Sequence, residues 1–116
     1  MLTAGKITHA SAANGASQYN LASTSNGIAA ILELVSLATG TVTVVVQESS
    51  DDGAGDPFAA KATFTAVAAA GAPTAERITA TGTVERYLRV ATTGTFTTAV
   101  FAVAIRRGTA QDRTAY

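Results

Sequence analysis

The sequence predicts an all-β fold, a single antiparallel β-sandwich of immunoglobulin-like or jelly-roll-like type with about seven strands and an irregular N-terminal arm. Three observations predict it. Apolar and polar residues alternate in runs such as "TVTVVVQ" and "FAVAIRR", the period of a half-buried strand. Turn formers recur at roughly the 8–12-residue spacing of antiparallel sandwiches. The one Ala-rich stretch with helical character, "AAAGAPTAE", is interrupted by Gly71 and Pro73 and is too short to survive both. A length of 116 residues suits one domain. It divides into an arm or edge strand (1–27), the sandwich (28–108) and a flexible tail (109–116).

The elements follow in order. Residues 10–27 are rich in Ala, Ser, Asn and Gly, with Tyr19 and Leu21 as the sizeable apolar anchors, and read as an arm or irregular strand. "IAAILELVSLATGTVTVVVQESS" contains two apolar segments separated by Thr39 and Gly40, which reads as a hairpin. In its second half Val42, Val44 and Val46 share one face, with Thr41, Thr43 and Gln47 opposite. In its first half Leu32 and Leu34 share a face, while Ile31 and Val35 flank Glu33 on the other, so partial cover on both faces is expected. "SSDDGAGDP" gathers turn residues into a loop. Residues 58–67 return as a strand with Phe58, Ala60, Ala62 and Phe64 on one side. Residues 68–76 read as a loop. "RITAT" and "YLRVAT" form a further pair, and Gly94 turns the chain into the last strand. There Phe101, Val103 and Ile105 fill the core, as do Leu88 and Val90 before the turn, while Val100, Ala102 and Ala104 form a small apolar face that wants a neighbour, either the arm or another subunit.

Composition narrows the function. The chain holds 26 Ala and 19 Thr, 14% charged residues and a formal net charge of zero, so its surface is built largely from Thr, Ser, Ala and Gly. Nucleic acid and anionic membrane both demand a dense basic patch, which Arg106 and Arg107 alone do not supply. Near-zero charge removes the self-repulsion that keeps copies apart, which suits an assembly. There is no cysteine, hence no disulfide, thiolate metal site or Cys nucleophile. The start of the chain has no basic region followed by an apolar run, and no later run reaches the roughly 18 apolar residues of a membrane span, so a soluble product is expected.

Catalytic signals are weak. His9 is the one histidine, lies in a polar stretch and reads as a solvated or interface residue rather than a base. No Ser or Thr sits in a "GxSxG" context. Asp51, Asp52 and Asp56 form the acidic cluster, but their spacing does not match a calcium-binding EF-hand loop, and a solvated turn is the stronger reading. The glycines lie at turns, without the strand–loop–helix setting that cradles phosphate. Arg77, Arg86 and Arg89 are placed for carboxylate pairing, with Glu76 and Glu85 beside two of them. Few aromatic residues are present, which makes a carbohydrate platform built on Tyr19, Tyr87 and Tyr116 a minor alternative.

The succession "VTVVVQESSDDG", "ATFTAV", "ERITATGTVERYLRV" and "FAVAIRRG" resembles an accessory β-sandwich domain of tailed-bacteriophage virion proteins, across roughly residues 28–108. That domain is appended to some phage tail-tube proteins, and similar small sandwiches serve as capsid decoration or minor capsid proteins. Two departures stand out: "DDGAGDPFAAK" lacks the Trp that many relatives place after the Asp-Gly turn, and the sandwich is expected to stand free, without a tail-tube domain before it. The resemblance implies a structural virion protein, made in the host cytoplasm, that binds the assembled shell in many copies. Its partners would be the major capsid protein, or a tail-tube protein, and further copies of itself. It implies no enzyme activity, cofactor, metal, nucleic acid or membrane. Tail decoration, and a sandwich binding cell-surface glycan or a receptor, are the alternatives. Expected subunit contacts are Tyr19, Arg86, Arg89, Val100, Ala102, Ala104, Arg106 and Arg107. The arm is expected to add to a sheet edge and link subunits.

Overall fold

A computed structural model describes residues 2–3, 7–15, 17–19 and 27–107; at 2, 3, 18, 19 and 107 only the backbone is described. The expected tail, 109–116, lies outside the described residues. The fold is all-β, antiparallel and sandwich-like. Nine strands occur among the described residues: β1 (Leu2–Thr3), β2 (Ile7–His9), β3 (Gln18–Tyr19), β4 (Ile28–Ser49), β5 (Ala59–Thr63), β6 (Val67–Ala68), β7 (Thr74–Ala80), β8 (Tyr87–Thr93) and β9 (Phe96–Arg107). A single 3-10 turn, Ala69–Gly71, precedes β7. No helix among them is long and apolar enough to cross a membrane.

The expected hairpin at Thr39–Gly40 does not form. β4 runs unbroken for 22 residues. Its first half pairs β9, from Ile28↔Arg107 to Gly40↔Phe96, and its second half pairs β8, from Thr43↔Thr93 to Ser49↔Tyr87. Gly94 is likewise no reversal: β8 and β9 pair with β4, in one direction and in one continuing register, and not with each other. The two long strands therefore make a single ribbon that bends where Gly40 and Gly94 lie. Both glycines take positive φ, 87° and 102°. A side chain at Gly40 would meet the Thr95 carbonyl oxygen at 2.2 Å, so only hydrogen allows the close approach at the bend. This is how strands pass from one layer of a sandwich to the other without a connecting loop.

Each half of the ribbon gains a flanking strand: β7 beside β4 in the first half-sheet, β5 beside β4 in the second. The arm lies along the other side of the ribbon. Leu2 and Ile7 pair with Ile105 and Phe101 of β9, and Gln18 pairs with Leu88 of β8. Between them Thr98 N–H donates to the Ala10 carbonyl, Thr92 N–H to the Ala13 carbonyl and Gly15 N–H to the Val90 carbonyl. The described residues of the arm thus cover the edge of their own chain's sheet, not the face formed by Val100, Ala102 and Ala104.

The core lies between the two half-sheets. Ile28, Ala30, Leu32 and Leu34 from the start of β4, with Phe101, Val103 and Ile105 from β9, face Val42, Val44, Val46, Leu88 and Val90. A bulge between Leu34 and Ser36 shifts the alternation, so that Leu37 rather than Ser36 points inward. A second irregularity, between Val46 and Gln47, corrects the expected pattern in β5. Ala62 and Phe64 are buried as expected, but the extra residue there moves Ala60 to the exposed side. Phe58 is only half-buried and sits under the Arg89 guanidinium, 4.1 Å from the ring centre. The expected loop at 68–76 is also shorter than predicted, since β7 starts at Thr74.

Candidate functional site

The exposed large hydrophobic side chains among the described residues, Ile31 and Val35, lie on the outer face of the first half-sheet. Because paired residues on antiparallel strands share a face, the register defines it row by row. Ile31 lies between Arg77 of β7 and Ala104 of β9, and Glu33 between Ala75 and Ala102. Val100 lies between Ser36 and Thr8 of β2. Ile31 is 49% exposed and Val35 47% exposed, the large hydrophobic side chains left in water among the described residues. Ile31 and Val35 are thus partly covered, as expected, with about half of each side chain left in water, and Val100, Ala102 and Ala104 are half-buried. Leaving two β-branched aliphatic side chains beside a row of alanines in water costs hydrophobic free energy that contact with another surface would recover.

The sequence-expected contact residues divide. Val100, Ala102, Ala104 and Arg106 lie on this face, with Arg106 exposed beside Ala29. Arg107 pairs with Ile28, and Tyr19 with Tyr87, through the backbone; their side chains lie outside the described residues. Arg86 is exposed just before β8. Arg89 lies on the other half-sheet and is engaged within its own chain, its Nε donating to Gln47 Oε1 at 2.7 Å while its plane covers Phe58. Sequence reasoning placed Ile31, Glu33 and Val35 on one strand face but did not join them to Arg77 or to Val100, Ala102 and Ala104, which the cross-strand register does.

Glu76 makes no pair with its neighbour Arg77. Its carboxylate instead accepts from Thr65 N–H at 2.7 Å and Thr65 Oγ1 at 2.8 Å, at the rim of a recess of about 380 Å3 beside β6. Lys61 Nζ donates to the carbonyls of Thr81 and Thr83, both at 2.9 Å, which ties β5 to the loop before β8.

The acidic loop is a self-bonded turn. Asp51 accepts from Gly55 N–H at 2.7 Å and Asp56 N–H at 3.0 Å, and Asp56 accepts from Ser50 N–H at 2.9 Å. The Asp56 and Gly55 amides hold the Asp51 carboxyl below its ordinary range, and the Ser50 amide does the same for Asp56. Glu85, next to Asp56, is raised by that neighbour. The hub is Ser49, fully buried, which donates to the Asp56 carbonyl at 2.6 Å and accepts from Gly53 N–H at 2.8 Å. Among the described residues no group of three or more His, Cys, Asp or Glu is placed to hold a metal ion.

His9 is half-buried rather than fully solvated. Its Nδ1 lies 2.7 Å from Thr92 Oγ1, its ring stands edge-on to Phe101 at 5.3 Å, and burial lowers its pKa. Thr92 Oγ1 also accepts from Ala13 N–H at 3.1 Å, so one buried hydroxyl fastens two points of the arm at the bend.

No protein-family model matches the chain, and no curated protein matches it in sequence.

Proposed function

We propose that this chain is a structural virion protein of a tailed bacteriophage, a capsid decoration protein that binds the assembled shell in many copies and stabilises it. The observation that carries the proposal is the outer face of the first half-sheet, built mainly from Ala, Val, Ser and Thr around a half-exposed Ile31, with Glu33, Arg77 and Arg106 as its charged members. Such a face suits burial against another protein surface and offers no aromatic platform for sugar. The residues that carry the resemblance lie on three of the strands: Arg77 and Ile78 on β7, Tyr87 to Arg89 on β8, and Phe101 to Ala104 on β9.

The mechanism is mechanical and multiplicative. One contact of this size is modest, but a protein that binds only the assembled shell shifts the equilibrium towards it by mass action, and many identical sites repeat the effect. Purified protein should therefore bind particles stripped of it, saturate at a fixed number of copies per shell, and raise the temperature at which shells rupture. Gold-labelled protein should decorate heads in electron micrographs. Decoration confined to tails would move the assignment to a tail protein, and absence of binding to either would remove the virion reading altogether.

A further inference from the structure

We infer that the outer face of the first half-sheet is the interface of a two-fold symmetric homodimer, with Ile31 near its centre and Glu33 paired with the partner's Arg77. Self-association by a closed two-fold axis requires a patch that complements itself, in which each residue's contact is returned by the partner. This face meets that requirement. Ile31 and Arg77 occupy one cross-strand row, and Glu33 occupies the next row along β4 with Ala75 and Ala102 on either side. A two-fold axis lying across the strands between these rows brings Glu33 beside the partner's Arg77 and, by the same operation, Arg77 beside the partner's Glu33. The same operation sets each Ile31 opposite the partner's Glu33 and leaves the two Ile31 side chains diagonal neighbours on either side of the axis. Among the described residues neither Glu33 nor Arg77 has an ion-pair partner within its own chain.

Ala75, Ala102 and Ala104 surround these positions with side chains short enough for two sheets to approach closely. Four strands about 4.8 Å apart and four same-face rows about 6.8 Å apart give ~500 Å2 per copy, or ~1,000 Å2 in total, the lower bound for a specific interface. A zero net charge leaves no long-range repulsion between copies. Glu33 and Arg77 in adjacent rows give a second copy of this chain a charge pattern that complements itself.

The inference concerns the isolated chain in solution and assigns to a second copy the face that the virion reading offers to the shell, so dimerisation and particle binding compete for it and are measured separately. Sedimentation velocity of the full chain, from low micromolar to sub-millimolar concentration, tests it. The expected result is a monomer–dimer equilibrium weakened about tenfold or more by Glu33→Arg or by Arg77→Glu alone and restored to near the original affinity when the two are combined. Ile31→Asp, at an exposed position, should abolish the dimer with the circular dichroism spectrum unchanged. A chain that stays monomeric at the highest concentration overturns the inference, as does a dimer indifferent to these substitutions, or a double exchange that fails to rescue. A full-length monomer that dimerises only after residues 109–116 are removed would assign the face to the chain's own tail, and also overturns it.

Discussion

Replacing Gly40 by alanine tests the bend at which the ribbon changes layers, and Gly82 supplies the control. The two glycines share nearly the same positive φ, 87° and 86°, so alanine incurs a similar backbone penalty at each, about 1–2 kcal/mol. Their surroundings differ. A Cβ at Gly82 meets nothing within 4 Å, whereas at Gly40 it would lie 2.2 Å from the Thr95 carbonyl oxygen and 2.7 Å from the Phe96 Cα. Ordinary contact requires these backbone atoms to retreat by roughly an ångström, and the carbonyl that must move accepts the Thr41 N–H at 2.9 Å. Losing that bond adds about 1 kcal/mol, and the disturbed packing around the bend adds a similar amount. Gly40→Ala should then cost about 3–4 kcal/mol against about 1–2 for Gly82→Ala. With a urea m-value of about 1.5 kcal/mol/M the midpoints would fall by roughly 2–3 M and 1 M respectively. Equal midpoints for the two variants would refute the claim that the bend depends on close backbone approach, leaving only the cost of φ.

Two further predictions concern the loop and the arm. Ser49→Ala removes the buried hydroxyl that accepts the Asp51 and Gly53 amides and donates to the Asp56 carbonyl; it should cost about 2 kcal/mol and speed hydrogen exchange at Gly53, and a change below about 0.5 kcal/mol in urea unfolding would show that water replaces it freely. Burial depresses the His9 pKa below its unfolded value, so its contribution is present above that value and is lost as pH falls through the depressed folded one. Acidification from pH 7 through the histidine range should therefore accelerate exchange of the Thr92 and Thr98 amides, which the arm accepts, before the core amides of β4 respond; pH-independent relative protection, after correction for intrinsic rates, would contradict the role given to His9.

Side-chain alternation made the core legible. Val42, Val44 and Val46, Phe101, Val103 and Ile105, and Leu32 and Leu34 all point inward as their spacing requires. What could not be read was the partner of each segment. A positive-φ glycine permits a reversal or a bend with equal ease, and only the register of residues 36–49 against 87–100, some fifty positions away, decides between them at Gly40 and Gly94. Bulges have the same non-local origin. Nothing within residues 58–64 shows that the partner strand will shift between Val46 and Gln47 and move Ala60 out of the core. The docking of the arm leaves little trace in the sequence, because Ala10 and Ala13 contribute carbonyls rather than distinctive side chains. The candidate interaction face was half legible: its β9 members were apparent from alternation, whereas hydrophobicity alone does not reveal whether Ile31 and Val35 meet protein or water.

The continuous ribbon has a consequence for how the chain reaches this structure. Neither layer has a complete set of strands of its own, since β4, the arm and the β8–β9 segment each serve both. A half-sheet therefore cannot assemble first as an independent unit and wait for the other. Joining Ser49 to Tyr87 closes a loop of 37 intervening residues, and each later pair along the ribbon closes a longer one. The entropy of that first closure precedes most of the stabilising contacts, which places the chain among slowly folding, high-contact-order domains and makes its transition a single cooperative event.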